Sequence, residues 1–170
     1  GFEKTPHQWL YHINIGFPVV DENAEFVAHS TATPRDAVAQ KGIDIYNTFE
    51  PPKAGYKEQV FYHDIKSDGK GYCHVAIVNP EFNNGQGIGV YLRYRQKELH
   101  RFGQWKNMAA GAYVCGLEPA NCSVQGRAHD REDGALLFLK PGEEKHYYLE
   151  LTVLPDNQAI QEVLKIIQGK

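Results

Sequence analysis

The chain consists mostly of short runs of β-branched and aromatic residues separated by turn-forming residues. Such runs are typical of strands, because these side chains suit a pleated surface while Gly, Pro, Asn and Asp suit the turns between strands. Many short strands with little helix favour an all-β chain folded as an antiparallel β-sandwich. The runs that predict strands cover residues 8–20, 25–28, 58–65, 72–78, 87–95, 100–106, 112–117, 135–139 and 145–154.

Turn signals and caps place the connections between these strands. Residues 68–71 (Asp-Gly-Lys-Gly) predict a tight turn, and residues 83–85 (Asn-Asn-Gly) predict a hairpin between the runs that flank them. Pro141-Gly142 predicts a turn between the last two strands. Residues 33–36 (Thr-Pro-Arg-Asp) predict the start of a short helix that runs through Gln40 and ends at Gly42.

The end of the chain carries a helical pattern. Asp156-Asn157 precedes apolar residues spaced three and four apart, which predicts a short amphipathic helix that packs its apolar stripe on the core. The stripe consists of Ile160, Val163, Leu164 and Ile167.

Composition limits the classes of partner. The chain has 170 residues, a net charge of −3 and no long basic block, so we expect neither a nucleic acid nor an anionic membrane as partner. No apolar run approaches the length of a membrane span, and the first residues have no apolar core typical of a signal peptide. The three cysteines are expected to be buried free thiols in a reducing cytoplasm.

Several kinds of chemistry have no motif in this sequence. The eight histidines are scattered without the spacing of a metal site, so we expect no metal. A serine-hydrolase elbow and a phosphate-binding loop are also missing, and Gly85-Gln86-Gly87-Ile88-Gly89 is better explained as a turn than as a dinucleotide fingerprint. We expect no cofactor.

The segment of residues 113–122 contains the strongest candidate for catalysis. Glu118 stands between an apolar β-run and a proline-led loop. A carboxylate at a strand end is held by the sheet yet can reach a ligand, which suits a general base. The alternative is an edge glutamate satisfied by water, and this segment alone gives the two about equal weight.

Residues 116–119 read Gly-Leu-Glu-Pro, and residues 11–18 read Tyr-His-Ile-Asn-Ile-Gly-Phe-Pro. The first resembles the late signature of the aldose 1-epimerases (galactose mutarotase superfamily), whose glutamate is the catalytic base. The second is similar to the family's early strand motif, whose histidine is the general acid. Asn47-Thr48-Phe49-Glu50-Pro51-Pro52 and Gln104-Trp105-Lys106 bring the chain closer to a little-characterised branch of aldose-1-epimerase-like proteins.

The resemblance implies roles for individual residues. Glu118 would be the base and His12 the acid, although a histidine in an apolar strand is otherwise most often a satisfied core residue. The family's sugar-binding acid stands in a D-x-x-Y/F strand, which Glu58-Gln59-Val60-Phe61 matches best, with Glu in place of Asp. Asp64 is a second candidate on the same strand face, and either acid has about equal odds of being a solvated surface carboxylate.

Two further substrate-binding candidates precede the glutamate strand. The indole of Trp105 can stack on the C–H face of a sugar, and the amide of Gln104 can bind two hydroxyls; a structural tryptophan is at least as probable. On simple alternation, Glu58, Val60, Tyr62 and Asp64 share one strand face, and His63 points to the other.

The resemblance also implies a fold and an incomplete domain. Residues 1–170 would be the C-terminal portion of a single galactose mutarotase-like supersandwich. We therefore expect the N-terminal portion of the same protein, or a second chain, as a partner that covers unpaired strand edges and apolar surface.

The resulting hypothesis is an isomerase of carbohydrate metabolism, an aldose 1-epimerase-like enzyme that interconverts the anomers of a sugar by acid–base ring opening and closing. A non-catalytic carbohydrate-binding sandwich is the alternative, and a purely structural sandwich is a third. The enzyme hypothesis expects His12 and Glu118 on one concave surface, separated by about the width of a sugar ring. The sequence does not identify the sugar or its anomer.

Overall fold

The computed structural model describes residues 1–169 and contains three antiparallel sheets. A five-stranded sheet has the order β2-β9-β8-β5-β4, a four-stranded sheet has the order β11-β7-β6-β3, and β1 pairs with β10 alone. The strands are β1 Thr5–His7, β2 Ile13–Gly16, β3 Glu25–Ala28, β4 Ser30–Pro34, β5 Gln59–Ile65, β6 Tyr72–Asn79, β7 Ile88–Arg95, β8 Arg101–Ala109, β9 Ala112–Ala120, β10 Leu137–Leu139 and β11 Leu149–Leu154.

The two larger sheets enclose one apolar core, so the predicted antiparallel β-sandwich is confirmed. Each sheet contributes alternate side chains to this core, because successive residues of a strand point to opposite faces. The five-stranded sheet supplies Ile65, Phe102, Met108, Cys115 and Leu117; the four-stranded sheet supplies Phe26, Cys73, Val75, Ile77, Val90, Leu92 and Tyr94.

Four short helices complete the described chain: α1 Ala37–Gln40, α2 Phe82–Gly85, α3 Arg127–Glu132 and α4 Asn157–Ile167, with a 3₁₀ turn at Ile43–Ile45. Helix α4 confirms the predicted closing helix. Asp156 caps its first turn by accepting a hydrogen bond from the Ala159 amide at 2.9 Å. Its buried Ile160 and Val163 pack on the outer face of the four-stranded sheet, which forms a second apolar cluster.

Strand boundaries within residues 25–109 agree with the predicted runs to within a few residues. The β6–β7 hairpin forms as predicted, from Tyr72 paired with Arg95 to Asn79 paired with Ile88. The short helix predicted after Thr33 is α1, with Asp36 as its N-cap. Strand β4 was not predicted, because Ser-Thr-Ala-Thr-Pro lacks the large apolar residues of a recognisable strand.

One predicted strand is wrong in its extent. Residues 8–20 do not form one strand: the regular pairing covers only β2, and Pro18, which has no amide hydrogen, lies just beyond it. The turn predicted at Pro141-Gly142 is confirmed, with the Glu143 amide donating to the Lys140 carbonyl at 3.0 Å, but the strands on either side of it do not pair with each other. β10 pairs with β1 and β11 with β7, because the edge of the four-stranded sheet offers β11 a longer partner than three-residue β10 does.

A buried ion pair connects the five-stranded sheet to the loop before β5. Lys106 on β8 is fully buried, and its ammonium contacts the Glu50 carboxylate and donates to the Ile45 carbonyl at 3.0 Å. The same ammonium lies 5.9 Å from the centre of the Phe49 ring. The pair therefore fixes the segment around residues 45–50 against the core-facing side of the sheet.

Removal of one partner of this pair should destabilise the fold. Glu50→Ala leaves the Lys106 ammonium buried without a carboxylate, so we expect a loss of about 3 kcal/mol in the free energy of unfolding. The double variant Glu50→Ala/Lys106→Met should recover at least half of that loss, because no charge stays buried. Urea denaturation measures both.

The control for that experiment is the exposed Arg93–Glu150 pair. Glu150→Ala should cost less than about 1 kcal/mol, as solvated ion pairs do. Equal losses for Glu50→Ala and Glu150→Ala would contradict the importance assigned to the buried pair.

Candidate active site

The outer face of the five-stranded sheet carries the candidate catalytic residues. In the β8–β9 pairing, Glu118 stands opposite Gly103, and Gly116 stands opposite Trp105. Glu118 and Trp105 point away from the core. The residues that alternate with them, Leu117, Gln104, Cys115 and Lys106, are fully buried beneath the sheet.

His12 lies beside this face, immediately before edge strand β2. The backbone amide of Tyr11 donates to the Pro119 carbonyl at 3.1 Å, which places the next residue next to β9. His12 Nε2 lies 3.1 Å from Glu118 Oε1, and its Nδ1 lies 2.8 Å from Asn14 Oδ1. The structure therefore brings together two predicted residues that are 106 positions apart in the sequence.

The spacing between them differs from the expectation. A sugar-ring width was expected between the polar atoms of His12 and Glu118, but the two side chains are in direct hydrogen-bonding contact. The reason is the pairing of β2 with β9, which continues to bring His12 level with Glu118, while the absence of a side chain at Gly116 leaves room for the imidazole. The other carboxylate oxygen, Glu118 Oε2, has no protein hydrogen-bond partner among the described residues.

The environments of the two groups differ. The Glu118 side chain is 5% exposed, whereas that of His12 is 45% exposed. Burial raises the pKa of the Glu118 carboxyl above its usual range, and the nearby positive charges of His12 and Arg35 lower it only in part. A carboxyl with a raised pKa beside a titratable imidazole is a pattern enriched in acid–base sites.

Two glycines make room for the Glu118 carboxylate. A side-chain carbon at Gly116 would lie 3.1 Å from His12 Cε1, 3.2 Å from Glu118 Oε1 and 3.2 Å from Trp105 Cβ. A side-chain carbon at Gly103 would lie 3.0 Å from Glu118 Oε2. The carboxylate thus rests on a floor without side chains, with Gly116 on the His12 side and Gly103 on the other.

Trp105 and Glu58 extend the candidate site beyond His12 and Glu118. Trp105 Nε1 donates to Glu58 Oε2 at 2.7 Å, and the indole meets the His12 ring edge-on with ring centres 5.4 Å apart. Arg35 Nη2 lies 3.6 Å from Glu58 Oε1. Sequence reasoning missed Arg35, which had been noted only as part of a helix start; its proximity to the site depends on the unpredicted strand β4, next to β5.

The other two predicted substrate-binding residues have different locations. Asp64 lies on the same sheet face, exposed and paired with Lys66, at the far end of β5. Gln104 lies on the opposite face and is fully buried, where its amide nitrogen donates to the Tyr46 carbonyl at 2.9 Å. The structure does not bring Gln104 to the site, because strand alternation directs it away from Trp105 and Glu118. His63 points to the core as expected and lies 3.1 Å from the Gln104 side-chain oxygen.

His12 and Glu118 line an open cavity of about 570 Å³. Its floor is the sheet, and the loop after β9 forms one wall. The lining includes His12, Arg35, Glu58, Trp105, Glu118, Ser123 and Val124.

Metal-ligand groupings, long apolar helices and cysteine pairing can each be assessed in the described chain. Within residues 1–169, no three or more His, Cys, Asp or Glu side chains are grouped as a metal site would require. No helix in the described part of the chain is long and apolar enough to cross a membrane. Cys73, Cys115 and Cys122 are buried and unpaired, as predicted.

The chain is similar to known proteins at the level of family and fold. A family model described as a domain of unknown function (DUF4432) matches residues 1–153. The chain belongs to this family. Comparison with curated proteins gives no match.

A solved structure shares the fold. It is the crystal structure of a protein from Klebsiella pneumoniae subsp. pneumoniae described as a "putative aldose 1-epimerase", with a TM-score of 0.92 and 24% sequence identity. The match covers 99% of this chain and 44% of that one, so the chain spans less than half the length of its structural neighbour. The predicted aldose 1-epimerase-like fold is confirmed.

A methyl group at Gly116 should separate His12 from Glu118. In Gly116→Ala the new carbon crowds His12 and Trp105, and exposed His12 is the side chain most free to move. We expect the NMR signals of the His12 ring to shift and the free energy of unfolding to change by less than about 1.5 kcal/mol, as for modest overpacking. Gly69→Ala is the matched control, because its new carbon enters open space. Unmoved His12 signals in Gly116→Ala would contradict the predicted crowding.

Glu118 should lower stability at neutral and alkaline pH. Its pKa is higher in the folded protein than in the unfolded chain, so the folded state binds more protons between the two values and stability falls as pH rises through that window. Glu118→Gln keeps the shape without the buried charge. We expect the variant to match the wild type in urea denaturation at about pH 4 and to be more stable at about pH 8.

The exposed Glu162 on α4 provides the control for this pH dependence. Glu162→Gln should show no pH-dependent gain over the wild type. A Glu118→Gln variant that is less stable than the wild type at about pH 8 would show that the carboxylate is favourably solvated or paired in the folded protein.

Proposed function

We propose that this chain carries the catalytic pair of an aldose 1-epimerase-like isomerase. The observation that supports this proposal most is the direct pairing of His12 with Glu118 at the floor of an open cavity. Mutarotation needs one group that accepts a proton from the anomeric hydroxyl and one that donates a proton to the ring oxygen. A carboxylate and a histidine can do both near neutral pH.

The resting pair is ready for this exchange of protons. Both ring nitrogens of His12 face oxygen atoms, Asn14 Oδ1 and Glu118 Oε1. An imidazolium donates to both, whereas a neutral imidazole donates to one. In the proposed reaction the imidazolium form is the proton donor, and the second oxygen of the Glu118 carboxylate, Oε2, is free to accept a proton.

Ring opening then follows in balanced steps. Glu118 Oε2 takes the proton of the anomeric hydroxyl, the C1–O1 bond becomes a carbonyl, and the bond between C1 and the ring oxygen breaks. The ring oxygen receives the proton of His12 Nε2. Rotation about C1–C2 and the reverse transfers close the ring as the other anomer, so both residues return to their first protonation states.

Exposed His12 must turn away from Glu118 Oε1 to reach a ring oxygen. This movement is compatible with its location, since it precedes an edge strand and is 45% exposed, while buried Glu118 stays fixed on β9. Binding of the sugar replaces the Glu118 contact of His12 by a contact with the substrate.

Trp105, Glu58 and Arg35 are the proposed sugar-binding residues of this cavity. The Trp105 nitrogen is held by Glu58, which fixes the indole face towards the space beside His12. Carboxylate and guanidinium groups bind sugar hydroxyls as acceptor and donor. Asp64 stays a candidate at the far end of the same face. We also propose that an N-terminal portion or a second chain adds contacts, since the structural neighbour is more than twice as long.

Glu118→Gln should remove the base and preserve the fold. We expect the mutarotation rate to fall by about 10²–10⁴-fold, the usual contribution of a positioned general base. Sugar affinity should change much less, because glutamine keeps most hydrogen bonds. His12→Gln should act similarly. The assay is anomer interconversion followed by polarimetry or exchange NMR over a panel of aldoses and uronates.

The pH dependence gives a second readout of the same base. The raised pKa of Glu118 places the acid limb of the rate above the usual carboxyl range, and Glu118→Gln should abolish that limb. Glu162→Gln and the exposed His146→Gln are the controls. Unchanged rates in Glu118→Gln would leave a carbohydrate-binding sandwich as the better account.

A further inference from the structure

A second cavity of about 480 Å³ adjoins the first on the other side of Glu118. Glu118 and loop residues 122–124 line both cavities, while His12 lines the first and Gly103 the second. The lining of the second cavity includes Thr33, Tyr62, Arg101, Ala120, Val124 and Gln125. A ligand held by His12 and Glu118 therefore enters the second cavity with the part that extends past Glu118 over Gly103.

One row of residues crosses the outer face of the sheet from the first cavity into the second. Glu118 on β9 stands opposite Gly103 on β8, and Gly103 stands opposite Tyr62 on β5. Thr33 on β4 continues the row beside Tyr62. Neighbouring strands lie about 4.8 Å apart. Because Gly103 has no side chain, no group of this row stands between Glu118 Oε2 and Tyr62.

The loop after β9 forms a wall of the second cavity. A side-chain hydrogen bond joins Gln125 of this loop to the Tyr62 hydroxyl. At the start of the loop, the Ser123 amide donates to Asp130 Oδ2 at 3.1 Å. These two contacts hold the loop beside the sheet and place Val124 in the lining. A hydroxyl has one donor and two acceptor positions, so Tyr62 can bond to a ligand as well as to Gln125.

The proposed reaction orients the sugar along this row. The anomeric hydroxyl lies on Glu118 Oε2, towards Gly103, and the ring oxygen lies at His12 Nε2, on the other side. In a pyranose, an equatorial substituent at C2 is gauche to the anomeric hydroxyl in both anomers, so it extends to the same side as that hydroxyl. Substituents at C3, C4 and C5 extend away from that side. Among the ring substituents, the one at C2 therefore reaches the second cavity.

The space over Gly103 and the charge beside it restrict the group at C2. A hydroxyl at C2 is too short to cross Gly103 and contact Tyr62. An anionic group would place a second negative charge next to the Glu118 carboxylate, and an ammonium group would compete with the anomeric hydroxyl for Glu118 Oε2. A neutral amide avoids both conflicts, and its length suits the space of one strand spacing between Glu118 and Tyr62.

We propose that the second cavity binds a 2-acetamido group, so that the substrates are 2-acetamido-2-deoxyaldoses with an equatorial nitrogen at C2. The amide lies over Gly103. Its carbonyl oxygen accepts a hydrogen bond from the Tyr62 hydroxyl, and its methyl group contacts Val124. This inference rests on the proposed function, because it takes the anomeric hydroxyl to lie on Glu118.

The test compares sugars that differ at C2. Catalysed anomer exchange by the full chain is measured by exchange NMR for N-acetylglucosamine, glucose, 2-deoxyglucose, glucosamine and N-acetylmannosamine, whose acetamido group is axial. We expect kcat/KM for N-acetylglucosamine to exceed that for each of the others by about tenfold or more. A smaller ratio to glucose or glucosamine would overturn the subsite while leaving the proposed function in place. Equal values for the two acetamido sugars would overturn the orientation of the C2 group, and the proposal with it.

Variants of Tyr62 and Val124 locate the acetamido group. Tyr62→Phe removes the proposed donor and Val124→Ala removes the methyl contact, and each should lower the ratio of N-acetylglucosamine to glucose kcat/KM by about threefold to tenfold. The ratio cancels effects on the catalytic pair that both sugars share. Tyr72→Phe and Val153→Ala, on the other sheet, are matched controls that should leave the ratio unchanged.

A lowered ratio in either subsite variant supports the assignment, so a reading remains if one of them folds poorly. A preference for N-acetylglucosamine that neither variant reduces would place the acetamido group elsewhere and overturn the proposal.

Binding distinguishes failure of the subsite from failure of the proposed function. If no sugar is isomerised, saturation-transfer NMR with the same sugars decides the subsite independently. Tighter binding of N-acetylglucosamine than of glucose, reduced in Tyr62→Phe, supports the second cavity even though the isomerase function fails. Equal binding of both sugars overturns it.

Discussion

The pairing register of β8 and β9 determines both faces of the five-stranded sheet. In this register Glu118 stands opposite Gly103, and Trp105 opposite Gly116, on the outer face. The same register directs Leu117, Gln104 and Lys106 into the sandwich. A slip of one residue in either strand would exchange these sets, because side chains alternate between faces. Packing of the core therefore fixes the geometry of the candidate site.

Lys106 and Glu118, on opposite faces of this sheet, differ in how completely protein groups pair with them. Lys106, on the core side, is matched by Glu50 and a carbonyl, which is how buried charges are normally retained. Glu118, on the outer side, is buried with only one oxygen bonded, and its pKa is raised as a result. The first arrangement holds a loop in place. The second leaves a carboxylate oxygen without a protein partner at some expense in stability, a relation that is common at functional sites.

Much of the fold follows from local patterns, and the exceptions have physical causes. In β5 the alternating pattern of side chains, and in α4 the apolar residues spaced three and four apart, each correspond to a buried face. The sequence was therefore sufficient to predict these two elements. Strand β4 has small polar residues, and its position depends on β5 rather than on its own composition. Strands β10 and β11 pair with β1 and β7, which lie far away in the sequence. A turn signal such as Pro141-Gly142 indicates where the chain reverses but not which strand each neighbour pairs with.

The candidate site was predictable to a similar degree. Motif resemblance indicated His12, Glu118 and Glu58, and the structure places all three around one cavity. Gln104 was misplaced because adjacency to Trp105 in sequence means the opposite face in a strand. The direct contact of His12 with Glu118 depends on Gly116 lying between them, a packing relation across two strands that spacing along the chain does not reveal.

His12 precedes a strand with a single neighbour, whereas Glu118 belongs to a strand paired on both sides. The two halves of the candidate pair therefore differ in how freely substitutions can reposition them. Changes around residues 8–16 can shift the imidazole while the central hairpin keeps its hydrogen bonds. Changes that shift the carboxylate must break the interior of the sheet. Divergent sequences built on this scaffold should accordingly vary the surroundings of His12 first and retain the position of Glu118.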